Sequence, residues 1–137
     1  MIENILISLY NYIKLKIYFF NISYRYFYDL GNDAKVNFYL NTFNTTAQVV
    51  SNISNFIYMG GNTNTTGGLR VMRTEVFTAA NGDRPTVPNL CLLITDGIPT
   101  REVDQLPAEV QLNKNLGVRI IGIGVSTEVR SLLLLLS

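Results

Sequence analysis

The chain contains no histidine and no tryptophan, and it has a single cysteine, Cys91, among its 137 residues. Without histidine, the usual Ser-His-Asp and Cys-His catalytic arrangements and the histidine-rich zinc sites are excluded. One cysteine also excludes a disulfide within the chain. Because Cys91 lies in an apolar run and no histidine can activate it as a nucleophile, we expect a small buried hydrophobic residue.

Charged residues are sparse and nearly balanced. Lys and Arg number 11 and Asp and Glu 10, which gives a formal net charge of +1. Nucleic acids and anionic membranes require a basic patch, so neither is an expected partner. No apolar run reaches the about 20 residues of a transmembrane helix. The apolar fraction of 47% is enough for a hydrophobic core, and the length suits one domain.

The first thirty residues differ in composition from the rest. Ile, Asn, Tyr, Phe and Lys make up 20 of residues 1–30, whereas the rest of the chain has ordinary proportions of charged residues, Gly, Ala, Thr and Pro. We interpret residues 1–30 as an atypical segment, either separate from the domain or translated from AT-rich non-coding sequence, and we favour the second. The domain itself is expected to comprise residues 31–137 and to be incomplete at both ends.

No clear signal peptide is predicted in the first segment, because Glu3 and Lys14 interrupt it and no small-residue cleavage site follows. Apolar residues near helical spacing predict a weak helix over Asn4–Phe19. The alternating aromatic stretch behind it predicts a strand over Ile22–Leu30. After a turn signal, Lys35–Leu40 alternates again, so the two stretches would form an antiparallel hairpin.

Two helices are predicted in the middle of the chain. Thr45 and Gln48 have capping-box spacing, which predicts a helix start, and Met59–Gly61 would end that helix. A second helix is expected to end at Asn81-Gly82, because glycine accepts the left-handed conformation that follows a helix. The apolar faces would consist of Val49, Ile53, Phe56 and Ile57 in the first helix and of Leu69, Met72, Val76 and Ala80 in the second.

The second half has a strand–helix–strand pattern. Asn89–Thr95 is a continuous apolar run, typical of a strand buried on both faces of a parallel sheet. A helix is predicted over Asp104–Leu116, with Pro107 in its first turn and Gly117 after its end. Val118–Val125 is predicted as a second buried strand. The helix would face the sheet with Val103, Leu106, Val110 and Leu116, and residues 128–136 form a helix-like tail.

Two parallel strands joined through a helix require a right-handed crossover. The predicted fold class is therefore α/β, an open, mostly parallel sheet with helices on both faces. Such sheets bind ligands outside the carboxyl ends of their strands.

Oxygen-bearing side chains are predicted at this edge of the sheet. Asp96 follows the strand Asn89–Thr95, while Thr63 and Thr65 follow Gly60-Gly61 and precede a helix. The simpler interpretations are a turn aspartate and threonines that cap the helix. Together, however, carboxylate and hydroxyl oxygens suit a magnesium ion that bridges to an acidic partner.

These motifs resemble those of the von Willebrand factor A domain. The resemblance rests on Thr63-x-Thr65 after Gly60-Gly61 and on Leu93-Ile94-Thr95-Asp96-Gly97, and it extends over residues 31–129. The stretches Asn81–Glu109 and Leu116–Val125 are similar to the A domains of collagen VI-like and matrilin-like matrix proteins. The resemblance implies a Rossmann-like fold and a non-enzymatic adhesion module in the extracellular matrix.

The resemblance also implies a metal-ion-dependent adhesion site built from three loops. The threonine of the second loop maps to Thr63 and the aspartate of the third to Asp96, with Thr65 as a possible supporting residue. In the family the ion is Mg2+, and an acidic side chain of a protein partner, such as collagen or a receptor, completes its shell. The Asp-x-Ser-x-Ser motif of the first loop is missing from this chain, and no central strand is predicted before the first helix. We therefore expect a degenerate site that holds Mg2+ poorly.

Two other functions stay open at this point. One is an intracellular A-type scaffold domain; four sequons, at Asn21, Asn44, Asn52 and Asn64, weigh slightly against it because they suit a secreted chain. The other is a metal-dependent phosphotransferase or hydrolase that uses Asp96. Such an enzyme typically has a second acidic residue two positions along, where this chain has Ile98 followed by Pro99.

Overall fold

The computed structural model describes residues 16–21, 34, 36–55, 63–95 and 98–124. Within these ranges the main elements are β1 (Lys16–Asn21), α1 (Thr46–Ser54), α2 (Thr65–Val71), β2 (Asn89–Thr95), α3 (Leu106–Asn115) and β3 (Arg119–Gly124). A π-helical turn at Met72–Val76 continues α2, a 3-10 turn at Ala79–Asn81 follows it, and another at Val103–Gln105 leads into α3.

The three strands form one parallel sheet in the order β1-β2-β3. The pairing of β1 with β2 ends at Asn21 opposite Ile94, and that of β2 with β3 ends at Thr95 opposite Gly124. The carboxyl ends of all three strands therefore lie along one edge. The predicted α/β class with a parallel sheet is confirmed, and the bounds of β2 are those predicted.

The start of the chain differs from the prediction. Residues 16–19 of the predicted helix Asn4–Phe19 belong to β1, and the remainder of that helix lies outside the described residues. Aromatic and β-branched residues favour the extended conformation, and pairing along β2 outweighs the weak helical spacing. The expectation that no central strand precedes the first helix is corrected by β1, which pairs in parallel with β2.

Residues 36–40 do not form the predicted hairpin strand. Residues 36–40 are irregular and lead into a turn, in which the Tyr39 N–H donates to Thr42 Oγ1 at 2.9 Å and the Thr42 N–H donates to the Tyr39 carbonyl at 3.1 Å. Local hydrogen bonds of this kind compete with strand pairing. The other predicted strand, Ile22–Leu30, lies outside the described residues.

The predicted start of α1 is confirmed. The Gln48 N–H donates to Thr45 Oγ1 at 3.3 Å, and the Thr45 N–H donates to Gln48 Oε1 at 3.2 Å, which completes the capping box. Val49 and Ile53 are half-buried, and no residue of α1 is fully buried. Phe56, Ile57 and the predicted helix end lie outside the described residues.

The core lies between β2 and the two later helices. It consists of Leu69, Met72, Val76, Cys91, Leu93, Leu106, Val110 and Val118. The predicted stripe of the second helix is thus confirmed except for Ala80, which is exposed because the helix ends at Val76 and not at the predicted Asn81-Gly82. Cys91 is fully buried, as predicted, and Gly82 has the expected left-handed conformation at φ +90°.

The second crossover has the predicted order, but three burial predictions are wrong. Val103 is 47% exposed and Leu116 62% exposed, because Val103 lies in the 3-10 turn and Leu116 follows the last turn of α3. Strand β3 is not buried on both faces, since Ile121 is 49% exposed and Ile123 38% exposed. The inward face of α3 instead includes two polar residues, Glu109 and Asn113.

Candidate functional site

Two loops meet at the carboxyl edge of the sheet. One is the segment Thr63-Asn64 that leads into α2, and the other is Ile98–Glu102, which follows β2. These are the loops to which sequence analysis assigned Thr63 and Asp96. Asp96 and Gly97 themselves lie outside the described residues, so the structure brings together the loops but does not describe Asp96.

Thr63 and Thr100 join the two loops. The Thr63 N–H donates to Thr100 Oγ1 at 3.1 Å, and the Thr100 N–H donates to the Thr63 carbonyl at 2.9 Å. The Arg101 N–H also approaches that carbonyl, at 3.4 Å. Since Thr63 is buried, these bonds satisfy backbone groups that water cannot easily reach.

The residue that caps α2 is Asn64, not one of the threonines. Its Oδ1 accepts a hydrogen bond from the Gly67 N–H at 2.8 Å, while its Nδ2 donates to Glu102 Oε1 at 3.3 Å. A Cβ on Gly67 would lie 2.8 Å from Asn64 Nδ2, so this close approach requires glycine. Asn64 was not predicted as a cap from the sequence, although Asn three residues before a helical amide is a known N-cap signal.

The two threonines that begin α2 differ in their contacts. Thr66 Oγ1 donates to the carbonyl of Glu102 at 2.9 Å and thereby adds a further bond between the loops. Thr65 is fully buried, and its Oγ1 has no hydrogen-bond partner within the described residues. A buried hydroxyl without a hydrogen-bond partner is energetically unfavourable.

Glu102 is the most heavily bonded residue of the second loop. Its Oε2 accepts from Arg70 Nη2 at 2.6 Å, and Arg70 also donates to Gln105 Oε1 at 2.9 Å. The hydrogen bond from Arg70 holds the pKa of the Glu102 carboxyl below its usual range, despite partial desolvation. Neither Glu102 nor Arg70 was identified from sequence, because they are 32 residues apart and form no local motif.

A partly buried ion pair joins the π-helical turn that continues α2 to α3. Glu109, which is 4% exposed, accepts from Arg73 Nε at 2.8 Å and from Arg73 Nη2 at 3.2 Å. This hydrogen bonding raises the pKa of the Arg73 guanidinium. Asn113 Nδ2 donates to Glu109 Oε1 at 3.2 Å, and Arg70 Nε lies 3.8 Å from Glu109 Oε2. The pair fixes α3 against the helix that begins at the site.

The site offers hydroxyl oxygens and few carboxylates. In the part of the chain that the structure describes, no group of three or more His, Cys, Asp and Glu residues could hold a metal ion. Hard divalent cations bind carboxylates and other oxygens, so Thr63 and Thr65 alone fit such an ion poorly. The same described ranges contain no helix long and apolar enough to cross a membrane.

The chain is similar to known A-type domains. The sequence model of the von Willebrand factor type A domain matches residues 11–135. The collagen alpha-6(VI) chain of Homo sapiens is 33% identical over 97 residues, which cover 69% of this chain and 4% of the collagen chain. Cochlin of Bos taurus is 31% identical over 71 residues, which cover 52% of this chain and 13% of cochlin. The chain thus spans a small part of the relatives it matches.

Solved structures agree with the sequence matches. Proximal thread matrix protein 1 from the mussel byssus matches 73% of this chain, and 26% of its own chain, with a TM-score of 0.67 and 28% identity. A structure of the same mussel protein with a zinc-occupied metal-ion-dependent adhesion motif has a TM-score of 0.68, with the same coverage and identity. The fold of this chain therefore has a counterpart in a matrix protein.

Proposed function

The chain belongs to the von Willebrand factor type A domain family, and we propose that it is a non-enzymatic module that binds a protein ligand through the carboxyl edge of its sheet. The observation that carries this proposal is the pair of hydrogen bonds between Thr63 and Thr100, which holds two loops in a fixed arrangement at that edge. Rigid loops at the carboxyl ends of parallel strands are the usual binding position in this architecture.

The proposed partner is a matrix protein that presents an acidic side chain. Matching relatives include the collagen alpha-6(VI) chain and cochlin, and the matching structure comes from a thread matrix protein. Next to the loops, Ile98 is 48% exposed and Arg101 is exposed as well. An apolar and a cationic side chain on one loop suit an acidic residue with an apolar neighbour.

We further propose that Mg2+ contributes little to this binding. The proposed ligands are Thr63 and Asp96, with Thr65 as a supporting hydroxyl. Strand β1 ends at Asn21, and we place Asn21-Ile22-Ser23, which begins at this residue, at the position of the family's Asp-x-Ser-x-Ser motif. An amide in place of that aspartate carries no negative charge, and a hard cation is held mainly by anionic oxygens. The metal site would therefore be degenerate.

Calorimetric titration of the full chain with MgCl2 tests this degeneracy. We expect no measurable heat for the natural sequence and the appearance of binding in Asn21→Asp, which restores the carboxylate. Asp104→Asn, an exposed change on the 3-10 turn, is the control and should behave as the natural chain does. Tight binding of one Mg2+ by the natural chain, abolished in Asp96→Ala, would show an intact site and contradict the proposal.

Ligand binding is tested by surface plasmon resonance over immobilised collagen. Ile98→Asp should weaken binding, because it places a negative charge on the proposed docking loop. Leu116→Asp is the matched control: it changes an exposed apolar residue after α3, away from the loops. EDTA should leave the affinity nearly unchanged. Equal losses in both variants, or no binding to collagen or to an acidic peptide, would overturn the proposed surface.

An extracellular location is part of the proposal, and an intracellular scaffold is the alternative. The sequons at Asn44 and Asn52 lie on the exposed surface of α1 and its cap, whereas Asn64 is 2% exposed with its amide bonded at both ends. Mass spectrometry of the chain from secreting cells should find glycans at Asn44 or Asn52 and not at Asn64. A chain retained in the cytosol without glycans would favour the scaffold.

An enzymatic role for Asp96 as a phosphotransferase or hydrolase residue is the less favoured alternative. The described part of the loop after β2 contains one carboxylate, that of Glu102, and it is bonded to Arg70. Hydrolysis of p-nitrophenyl phosphate by the natural chain, lost in Asp96→Ala, would establish that role and displace the binding function.

A further inference from the structure

Glu102 has an unusual backbone conformation. Among the described residues it is the one non-glycine residue with positive φ, at φ 48° and ψ 33°. A residue with a Cβ is disfavoured in this left-handed region, because the Cβ approaches the following carbonyl oxygen. Such conformations persist where several surrounding contacts enforce them, and they are frequent in loops that clamp ligands.

Three contacts from the start of α2 enforce this conformation. Arg70 Nη2 donates to Glu102 Oε2 at 2.6 Å, Asn64 Nδ2 donates to Glu102 Oε1 at 3.3 Å, and Thr66 Oγ1 donates to the Glu102 carbonyl at 2.9 Å. All three donors lie within one stretch of seven residues, at positions 64, 66 and 70. The carboxylate and carbonyl of Glu102 are therefore bound to a single structural unit, the first turns of α2.

The same two segments carry the proposed binding residues. Thr63 directly precedes Asn64, and the loop that ends at Glu102 begins after Asp96-Gly97. Whatever holds Glu102 against α2 therefore limits how far the loop after β2 can move away from Thr63. Thr100 lies between the end of β2 and Glu102 in the sequence. Its hydrogen bonds to Thr63 are therefore protected from water only while β2 holds one end of the loop and the contacts of Glu102 hold the other.

We propose that Glu102 is a positioning residue: its side chain and carbonyl latch the loop after β2 onto the first turns of α2 and thereby hold Thr100 against Thr63. The effect of Glu102 on ligand binding rests on the proposed binding function, whereas its contacts with α2 do not require a ligand. Breaking it releases the strain at φ 48° and lets the loop open while the core stays folded.

Arg70 links this latch to the rest of the domain. Besides Glu102, it contacts Gln105 Oε1 at 2.9 Å and approaches Glu109 Oε2 at 3.8 Å. When Glu102 is removed, Arg70 has the carboxylate of Glu109 as an alternative partner on α3. The cationic side chain is therefore not left unpaired, and loop opening can occur without global unfolding.

The test is amide hydrogen exchange of the full chain, measured by NMR without metal or ligand. In Glu102→Gln and in Arg70→Gln we expect the Thr100 and Arg101 amides to exchange about threefold to tenfold faster, the range expected for loss of one partly exposed charged contact. The Val118 amide, which donates to the Asn113 carbonyl at 3.1 Å away from the loops, should be unaffected. The double variant should exchange no faster than either single variant.

Two further variants separate positioning from general stability. Glu75→Gln makes the same chemical change at an exposed carboxylate outside the latch and should leave exchange in the loop unchanged. Glu102→Gly removes the latch but also the backbone strain, so its midpoint of urea unfolding should not fall below that of Glu102→Gln, while its loop amides still exchange faster.

The outcomes distinguish the latch from the binding function. Faster loop exchange together with weaker collagen binding in Glu102→Gln supports both. Faster loop exchange in a natural chain that binds no collagen or acidic peptide supports the latch and overturns the proposed function. Unchanged exchange at Thr100 and Arg101, or a uniform increase that includes Val118, overturns the latch whatever the binding result.

Discussion

Thr63 and Thr100 are joined by two hydrogen bonds, at 3.1 and 2.9 Å, although 37 residues separate them in the sequence. One bond uses the Thr100 hydroxyl as acceptor for the Thr63 N–H, and the other uses the two backbones. The loop before α2 and the loop after β2 are thus connected directly. No local sequence motif predicts this connection. It is the reason why the two loops are described as one site.

Thr100→Val should destabilise the chain by about 1 kcal/mol, because the Thr63 N–H loses its acceptor while the size of the side chain is kept. Thr100 is exposed, so little packing is altered. Urea unfolding measures the loss, and Thr100→Ser, which retains the hydroxyl, should restore most of the stability. Equal stability of the valine and serine variants would mean that the hydroxyl contributes nothing.

Glu109→Gln should cost about 2–4 kcal/mol of unfolding free energy. The change leaves the partly buried guanidinium of Arg73 without its carboxylate partner, in a position where Glu109 is 4% exposed. Chemical denaturation gives the value, and Glu75→Gln, at an exposed carboxylate 3.5 Å from the Tyr39 hydroxyl, is the matched control. A loss of unfolding free energy no larger than in Glu75→Gln would show that water replaces the carboxylate as the partner of Arg73.

The Cys91 thiol should make stability fall at alkaline pH. Burial raises its pKa to about 12, from an ordinary value of 9.0. Above pH 9.0 the unfolded chain loses the thiol proton while the folded chain keeps it, so this contribution is complete below pH 9.0 and is lost as pH rises towards about 12. The difference in unfolding free energy between the natural chain and Cys91→Ala should therefore narrow over this range.

That comparison cancels the titration of tyrosines and lysines, which both chains share. The unfolding free energies of the two chains are compared from pH 8 to 11, about the range accessible to denaturation experiments. A difference between them that stays constant over this range would contradict a raised thiol pKa in the folded chain. Ellman's reagent should likewise react with Cys91 only in denaturant.

Gly82 and Gly117 offer a comparison between steric and backbone effects. Both have positive φ, at 90° and 76°, but a Cβ on Gly82 would lie 2.8 Å from the Asn41 Cβ and backbone nitrogen, whereas a Cβ on Gly117 has no neighbour within 4 Å. Gly117→Ala should cost about 1 kcal/mol from backbone strain alone. Gly82→Ala should lower the melting temperature more, because Asn41 must also move. Similar losses in calorimetry would show that the Asn41 loop yields freely.

Sequence patterns predicted most elements that depend on local signals. The capping box at Thr45 and Gln48, the apolar strand Asn89–Thr95 and the left-handed Gly82 need only neighbouring residues, and all three were confirmed. The predicted helix over Asn4–Phe19 was wrong at residues 16–19, because its apolar spacing was weak and β2 supplied a pairing partner that local sequence does not show.

The site was predictable only in part. Thr63 and Asp96 came from a motif, and their role as metal ligands stays a prediction. Thr100, Glu102 and Arg70 were not predicted, because each acts through a hydrogen bond to a residue more than 30 positions away in the sequence.

By itself, the sequence determined the α/β class and the family and predicted the edge of the sheet at which a ligand would bind, because apolar periodicity and short motifs involve residues close together along the chain. Only the tertiary structure decided that β1 joins the sheet, that Asn64 caps α2, and that Glu102 is held in a left-handed conformation by Arg70. Those features depend on hydrogen bonds between segments that folding brings together, and no short-range pattern encodes which segments will meet.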